Sequence, residues 1–118
     1  MADSALMIGW GSSVGGRARE ALRVFEEAVR YWSSLQQSGQ IDGFEAFALE
    51  PHGGDLAGFA LLRGDVTRLS RVRYSDEFIR LNARAALVVQ NFGVVMAFTG
   101  DELTRQFRTF GEQAADLS

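Results

Sequence analysis

The stretch Phe44 to Arg63, FEAFALEPHGGDLAGFALLR, narrows the possible folds of this chain more than any other. Two alternating apolar runs flank Pro51-His52-Gly53-Gly54, a pattern that predicts a β-hairpin closed by a glycine-containing turn. The turn holds the only proline and the only histidine of the sequence. With an even-numbered turn, strands over 44–50 and 55–63 sort into two faces. One carries Phe44, Ala46, Ala48, Ala57, Phe59, Leu61 and Arg63; the other carries Glu45, Phe47, Leu49, Leu56, Gly58, Ala60 and Leu62. Both are largely apolar, whereas a sheet with one wet face alternates cleanly between apolar and polar positions. Each face therefore needs a cover.

The flanking segments supply one of them. Ala5 to Trp10 (ALMIGW) is a short apolar strand that ends at Gly11-Ser12-Ser13. Ala18, Ala21, Leu22, Phe25, Ala28, Val29, Trp32 and Leu35 then recur at helical steps. Arg19, Glu20, Arg23, Glu26, Glu27 and Arg30 fill the opposite side, with Glu26 and Arg30 spaced for an ion pair. Ser12 or Ser13 is the expected cap of this helix, and Gly39 its stop. Beyond the hairpin, Val66, Leu69 and Val72 suggest a short helix or irregular turn through Tyr74. Ser75 reads as a fresh N-cap, followed by Asp76 and Glu77, where a helix favours negative charge. Phe78, Leu81, Ala85, Val88 and Phe92 form the next stripe, which Asn91 and Gly93 end. Val94 to Phe98 (VVMAF) is another strand. Thr99 to Glu102 has capping-box spacing and opens a terminal amphipathic helix through Leu103, Phe107, Phe110, Ala114 and Leu117.

The predicted order is thus β-α-β-β-α-β-α. It is an α+β, ferredoxin-like split arrangement with an added C-terminal helix, expected to form one domain over residues 1–118. One layer of helices covers one face of the sheet, so the second cover is expected to come from another copy of the chain. In this order the sequence resembles the dimeric α/β-barrel superfamily, through ALMIGW, FEAFALEPHGGDLAGFALL and VVMAF with helices 18–35 and 76–91 between them. That superfamily includes antibiotic-biosynthesis-type monooxygenases, muconolactone-isomerase-like enzymes and stress-responsive barrel proteins. The resemblance implies sheets paired in a homodimer and a pocket between sheet and helices. It rests on topology and pattern, and no catalytic motif transfers with it.

Composition excludes several function classes. The formal net charge is −3, and all 12 basic residues are arginine, a bias we read as genomic base composition. A net negative charge argues against a duplex-binding role, since neutralising phosphates needs a basic face. With no cysteine, disulfides, zinc-thiolate sites and thiol catalysis are ruled out. The longest apolar run, Ala85 to Val89, is far below the roughly 18 residues of a membrane span. The start, Met1-Ala2-Asp3-Ser4, has no basic, apolar leader. The expectation is a cytoplasmic protein with no membrane or nucleic-acid partner.

Candidates for chemistry are few. Glu45 is the one charge among Phe47, Leu49 and Leu62 on its predicted face. Pointing inward it would be a proton-transfer group; at a strand end it would be exposed or paired with an arginine. His52, the sole imidazole, is the other catalytic candidate, with a solvent-exposed turn residue as the plainer reading. Without a second histidine it makes no persuasive metal site, and neither a metal nor a cofactor is expected. Trp10, Phe47, Tyr74 and Asn82 are the ligand-binding candidates. Trp10 ends its strand where pockets open, and Asn82 interrupts an apolar helix side and needs a partner if buried. Gly9 to Gly16 imitates a dinucleotide loop with imperfect glycine spacing, but a hairpin follows where a parallel strand should. It is read as a β-to-α turn. The function expected is binding of a small apolar or aromatic molecule between sheet and helices, extending to a cofactor-independent enzyme. The alternative is a non-catalytic assembly or interaction module.

Overall fold

A computed structural model describes residues 3–118. The elements run β1 (Ser4–Trp10), α1 (Ala18–Gln37), β2 (Gly43–Ala48), β3 (Gly58–Gly64), α2 (Val66–Arg73), α3 (Asp76–Val88), β4 (Gly93–Phe98) and α4 (Gly100–Leu117). The four strands form one antiparallel sheet in the order β2-β3-β1-β4. This is the ferredoxin-like α+β arrangement, with α2 as a separate turn of helix and α4 appended. Helices α1, α2 and α3 lie on one face, where Leu6, Ile8, Ala60 and Leu62 of the sheet meet Trp32, Leu35, Leu69, Val72 and Phe78. Each large side chain of this set contributes roughly 1.5–3 kcal/mol on burial, so this layer is the core.

The hairpin departs from its predicted register. Phe47 pairs with Phe59 and Glu45 with Leu61, so odd-numbered residues of the two strands share a face. The connection spans residues 49–57, an odd number, and moving the pairing by one residue exchanges the faces of one strand relative to the other. Pro51 has no N–H for a ladder. The His52 ring closes the wider loop instead: Gly54 N–H donates to Nδ1 (3.2 Å), so Nε2 carries the proton and donates to the Leu56 carbonyl (2.8 Å). Ala57 N–H then donates to the Trp10 carbonyl and draws the loop against the end of β1 (2.8 Å). The helix-facing side of the hairpin is accordingly Phe44, Ala46, Ala48, Gly58, Ala60 and Leu62. The other side carries Glu45, Phe47, Phe59, Leu61 and Arg63, and among the described residues no helix covers it.

Helix termini follow the sequence in part. Ser75 caps α3 by accepting from Phe78 N–H, and Gly39 leaves α1 with a φ of +77°. Asp65, not singled out from sequence, caps α2 through Arg68 N–H (2.9 Å). Ser12 and Ser13 do not cap α1, which begins at Ala18 after Arg17, because their backbone pairs instead with the segment after α3. The Thr99 capping box does not form: the Glu102 carboxylate turns outward to Arg105 and Gln106. No residue of α4 is buried, and Phe107 and Phe110 stand free of the core.

The Glu26–Arg30 pair is not among the ion pairs of the described residues. Glu27 instead receives both Nε and one Nη of Arg84 at 2.9 Å, which ties α1 to α3. These hydrogen bonds hold the Glu27 carboxyl below its ordinary value. A depressed carboxyl contributes stability above its unfolded pKa and loses it as pH falls through the folded one. Urea denaturation should therefore find Glu27→Gln less stable than the wild type at about pH 7, with the two converging as pH falls through the depressed carboxyl range. A constant difference across that range would remove the ion pair as the cause.

Candidate functional site

Between the helix-facing side of the sheet, α1 and α3 lies a cavity of about 470 Å³. Its origin can be traced to side-chain size. Ala18, Ala21 and Ala28 of α1, Ala85 of α3, and Ala48 and Ala57 beside the sheet all line it, and none reaches across. The N-terminal half of the α1 stripe therefore borders open space instead of core: Leu22 is 64% and Phe25 38% exposed at its rim. An aromatic wall runs from Trp10 to Phe25 (ring centroids 5.8 Å), Phe25 to Trp32 (6.3 Å) and Trp32 to Phe44 (5.8 Å).

Trp10 takes its place because its neighbour is glycine. A Cβ at Gly58 would stand 2.8 Å from the Trp10 ring and 2.7 Å from the Phe47 carbonyl oxygen, so only glycine lets the indole lie over β3. Gly11 has a similar packing role. A Cβ there would meet the carbonyl oxygens of Asp55 and Gln90, both at 2.8 Å. Gly11 N–H donates to Gln90 O and Val14 N–H to Val88 O. The glycine-rich segment is thus fastened to the end of α3, with these donors occupied, and among the described residues the sheet offers no parallel strand for a dinucleotide fold.

The polar side chains at the cavity, apart from the two tryptophans, are Ser12, Ser13 and Asn82; no Asp, Glu, His or Arg lines it among the described residues. Trp32 Nε1 is buried without a hydrogen-bond partner. No partner for the Asn82 amide is present among the described residues either. A lone buried donor such as this indole N–H costs about 1–3 kcal/mol.

The structure brings together Trp10 and Asn82 and separates the other candidates. Glu45 lies on the far face of the sheet, exposed and paired with Arg63 at 3.3 Å, which corrects its expected place beside a pocket. The one-residue register difference is the reason. Phe47 is on that same face, stacked on Phe59 with centroids 4.8 Å apart. Tyr74 is 71% exposed at the end of α2, beneath Arg73. His52 is exposed in the 49–57 loop, with both ring nitrogens engaged by that loop. By its helical stripe Trp32 reads as core alone, although it also lines the cavity. The signal for this in the sequence is the run of alanines on the apolar stripe of α1, which marks a face with nothing to fill it. Among the described residues no cluster of ligating side chains could hold a metal, and no helix is long and apolar enough to cross a membrane.

No protein-family model matches the sequence, and no curated protein is similar to it. Solved structures are similar in fold. A DABB-family protein with a ferredoxin-like fold from Mesorhizobium loti superposes with a TM-score of 0.64 at 14% identity, covering 83% of this chain and 98% of the other. A dimeric protein of unknown function and ferredoxin-like fold from Bacteroides fragilis gives 0.59 at 12%, covering 80% and 95%. SnoaB, a cofactor-independent oxygenase from Streptomyces nogalater, gives 0.56 at 13%, covering 85% and 96%. The likeness is one of fold: ferredoxin-like, as in the dimeric α/β-barrel superfamily that the sequence resembles.

Proposed function

We propose that this chain binds a small, largely apolar or aromatic molecule in the cavity between sheet and helices, as a homodimer joined through the open sheet face. The carrying observation is the cavity: about 470 Å³, walled by aromatic rings, with a few uncharged polar groups. That volume and character suit a ligand pocket, for which roughly 300–1,000 Å³ is usual. Trp10, Trp32 and Asn82 are the proposed ligand contacts, the rings walling the molecule and the Asn82 amide meeting its oxygen.

The sharper form of this reading is an enzyme that uses no organic cofactor, an activity for which SnoaB, a cofactor-independent oxygenase, is a precedent in the same fold. No ionisable side chain lines the cavity among the described residues, so general acid–base work at neutral pH would fall to the substrate's own ionisable groups. The protein would supply orientation and exclusion of water. A second reading, a non-catalytic assembly module, is favoured by one observation: the bare apolar stripe of α4, with Phe107 69% and Phe110 74% exposed.

Calorimetric titration with 2-naphthol distinguishes the readings. Saturable binding with a dissociation constant below about 1 mM is expected. Ala85→Trp, which fills the cavity from α3, should abolish it. Glu45→Gln and His52→Gln should leave it unchanged, because neither side chain reaches the cavity. Binding that survives Ala85→Trp, or disappears with Glu45→Gln, would refute this placement of the site.

A further inference from the structure

The apolar stripe of α4 packs against nothing among the described residues. We propose that it pairs with α4 of a second copy, the two helices antiparallel about a two-fold axis that passes between Arg108 and Thr109. This contact uses neither the cavity nor the open sheet face, and it goes beyond the function proposed above.

Leu103, Phe107, Phe110, Ala114 and Leu117 follow one another at steps of four, three, four and three residues. That spacing draws one straight seam along a helix, the pattern of helices that pack lengthwise on each other. Phe107, Phe110 and Leu117 are each more than two-thirds exposed, so the seam is open. The helix stands out from the body, with a length of about 27 Å at the usual rise per residue. The chain accordingly measures 52 Å along its longest axis, and its radius of gyration is 16.2 Å. A compact chain of this length has about 13.5 Å.

Charge decides what can cover the seam. Thr104 and Gly111 flank it on one side and Gln106 and Gln113 on the other, all uncharged. Asp101, Glu102, Arg105, Arg108, Glu112 and Asp116, all the charged residues of α4, lie away from it. Flanking positions of two packed helices face each other, so two copies of α4 meet with no like charges opposed. A charged partner helix would find no counter-charge there. An anionic membrane would meet more carboxylates than arginines, the reverse of what such a surface attracts. Size then fixes the direction. In the antiparallel pair Phe107 faces the partner's Phe110, Leu103 the partner's Ala114, and Leu117 the partner's Gly100. Each leucine thus meets a small residue, and the rings fill the centre. Gln106 lies beside the partner's Gln113, and Thr104 beside the partner's Gly111, which has no side chain to hold the helices apart. Every contact occurs twice, as an isologous interface requires. A parallel pair would set alanine on alanine, leaving a gap, and would align the helix dipoles end for end. Phenylalanine buries about 150–250 Å² at most, so four rings with the leucines reach roughly 1,000 Å², the lower bound of specific interfaces. The pairing is therefore weak, with a dissociation constant of about 0.1 mM.

Sedimentation equilibrium of the full chain between about 10 μM and 1 mM tests it. The weight-average mass should climb at least toward twice its low-micromolar value. Phe107→Glu lies on a helix with no buried residue, so it leaves the core intact and should weaken this step at least about tenfold. Oxidation reads the direction. The chain has no cysteine, so Gln106→Cys and Gln113→Cys proteins mixed in equal amounts carry one thiol each. At high concentration they should form mainly the mixed disulfide, identified by mass spectrometry of proteolytic peptides. Chiefly like-with-like disulfides would overturn the antiparallel direction, and statistical proportions would mean chance collision and overturn the pairing itself. A mass that stays flat to about 1 mM, or climbs equally with Phe107→Glu, also overturns it and leaves the stripe to another protein or to lipid.

Discussion

Phe59→Asp should give a folded monomer. Phe59 is half-buried on the open face, stacked on Phe47, while the neighbouring Ala60 and Leu62 turn into the helix-covered core. An aspartate at 59 therefore leaves the core untouched and places a charge at the centre of the proposed subunit interface. Truncating a central aromatic anchor costs about 2 kcal/mol or more, and an unpaired buried carboxylate adds to it. A total near 3 kcal/mol weakens the dimer by more than about 100-fold. Size-exclusion chromatography with light scattering at low micromolar concentration should find a dimer for wild type and a monomer for Phe59→Asp. Far-UV circular dichroism should be unchanged. Val95→Asp, at a site 55% exposed on the same face, provides the same test where loss of the Phe59 ring unsettles the hairpin. A wild-type monomer that is fully folded would show that the apolar open face has some other use.

Trp32→Ala should cost about 3–5 kcal/mol, and Trp32→Phe less than about 1.5 kcal/mol. The indole is 3% exposed, wedged between Phe25 and Phe44, and belongs to the main core. Alanine removes that whole body next to an existing cavity, which the surrounding alanines are too short to refill. Phenylalanine keeps most of the body and removes an N–H with no protein partner. Loss of an unsatisfied buried donor offsets part of the lost contact. Thermal or urea denaturation of the two variants checks this ordering. Equal costs would mean that the N–H has a partner, such as a buried water, and is already satisfied without ligand.

The fold is legible in the sequence because periodicity carries it. The short apolar runs ALMIGW, FEAFALE and VVMAF, and the helical steps from Ala18 to Leu35, are local signals of what each segment buries. The hairpin register is not legible. Parity depends on loop length, and the loop is set by contacts remote in sequence: Ala57 N–H with the Trp10 carbonyl, and the packing of Asp55 against Gly11. One residue of difference moves Glu45 and Phe47 from an expected pocket to the open face. Trp10 and Asn82 are recoverable because each sits on an element whose own pattern fixes its direction. Tyr74 and His52 are not, since both occupy turns where no periodicity dictates orientation. The open apolar face is visible in sequence as an excess of Phe, Leu and Ala on both sides of one hairpin.

The central claim is that the cavity between sheet and helices receives a small aromatic molecule. It is tested most directly by a crystal structure of the protein grown with 6-bromo-2-naphthol and measured at the bromine absorption edge. One anomalous peak per protomer is expected inside the cavity, with the ring against Trp10 and Trp32 and the hydroxyl within hydrogen-bond reach of Asn82. A cavity closed by inward movement of Leu22 and Phe25, with bromine absent or bound only at the surface, would contradict it.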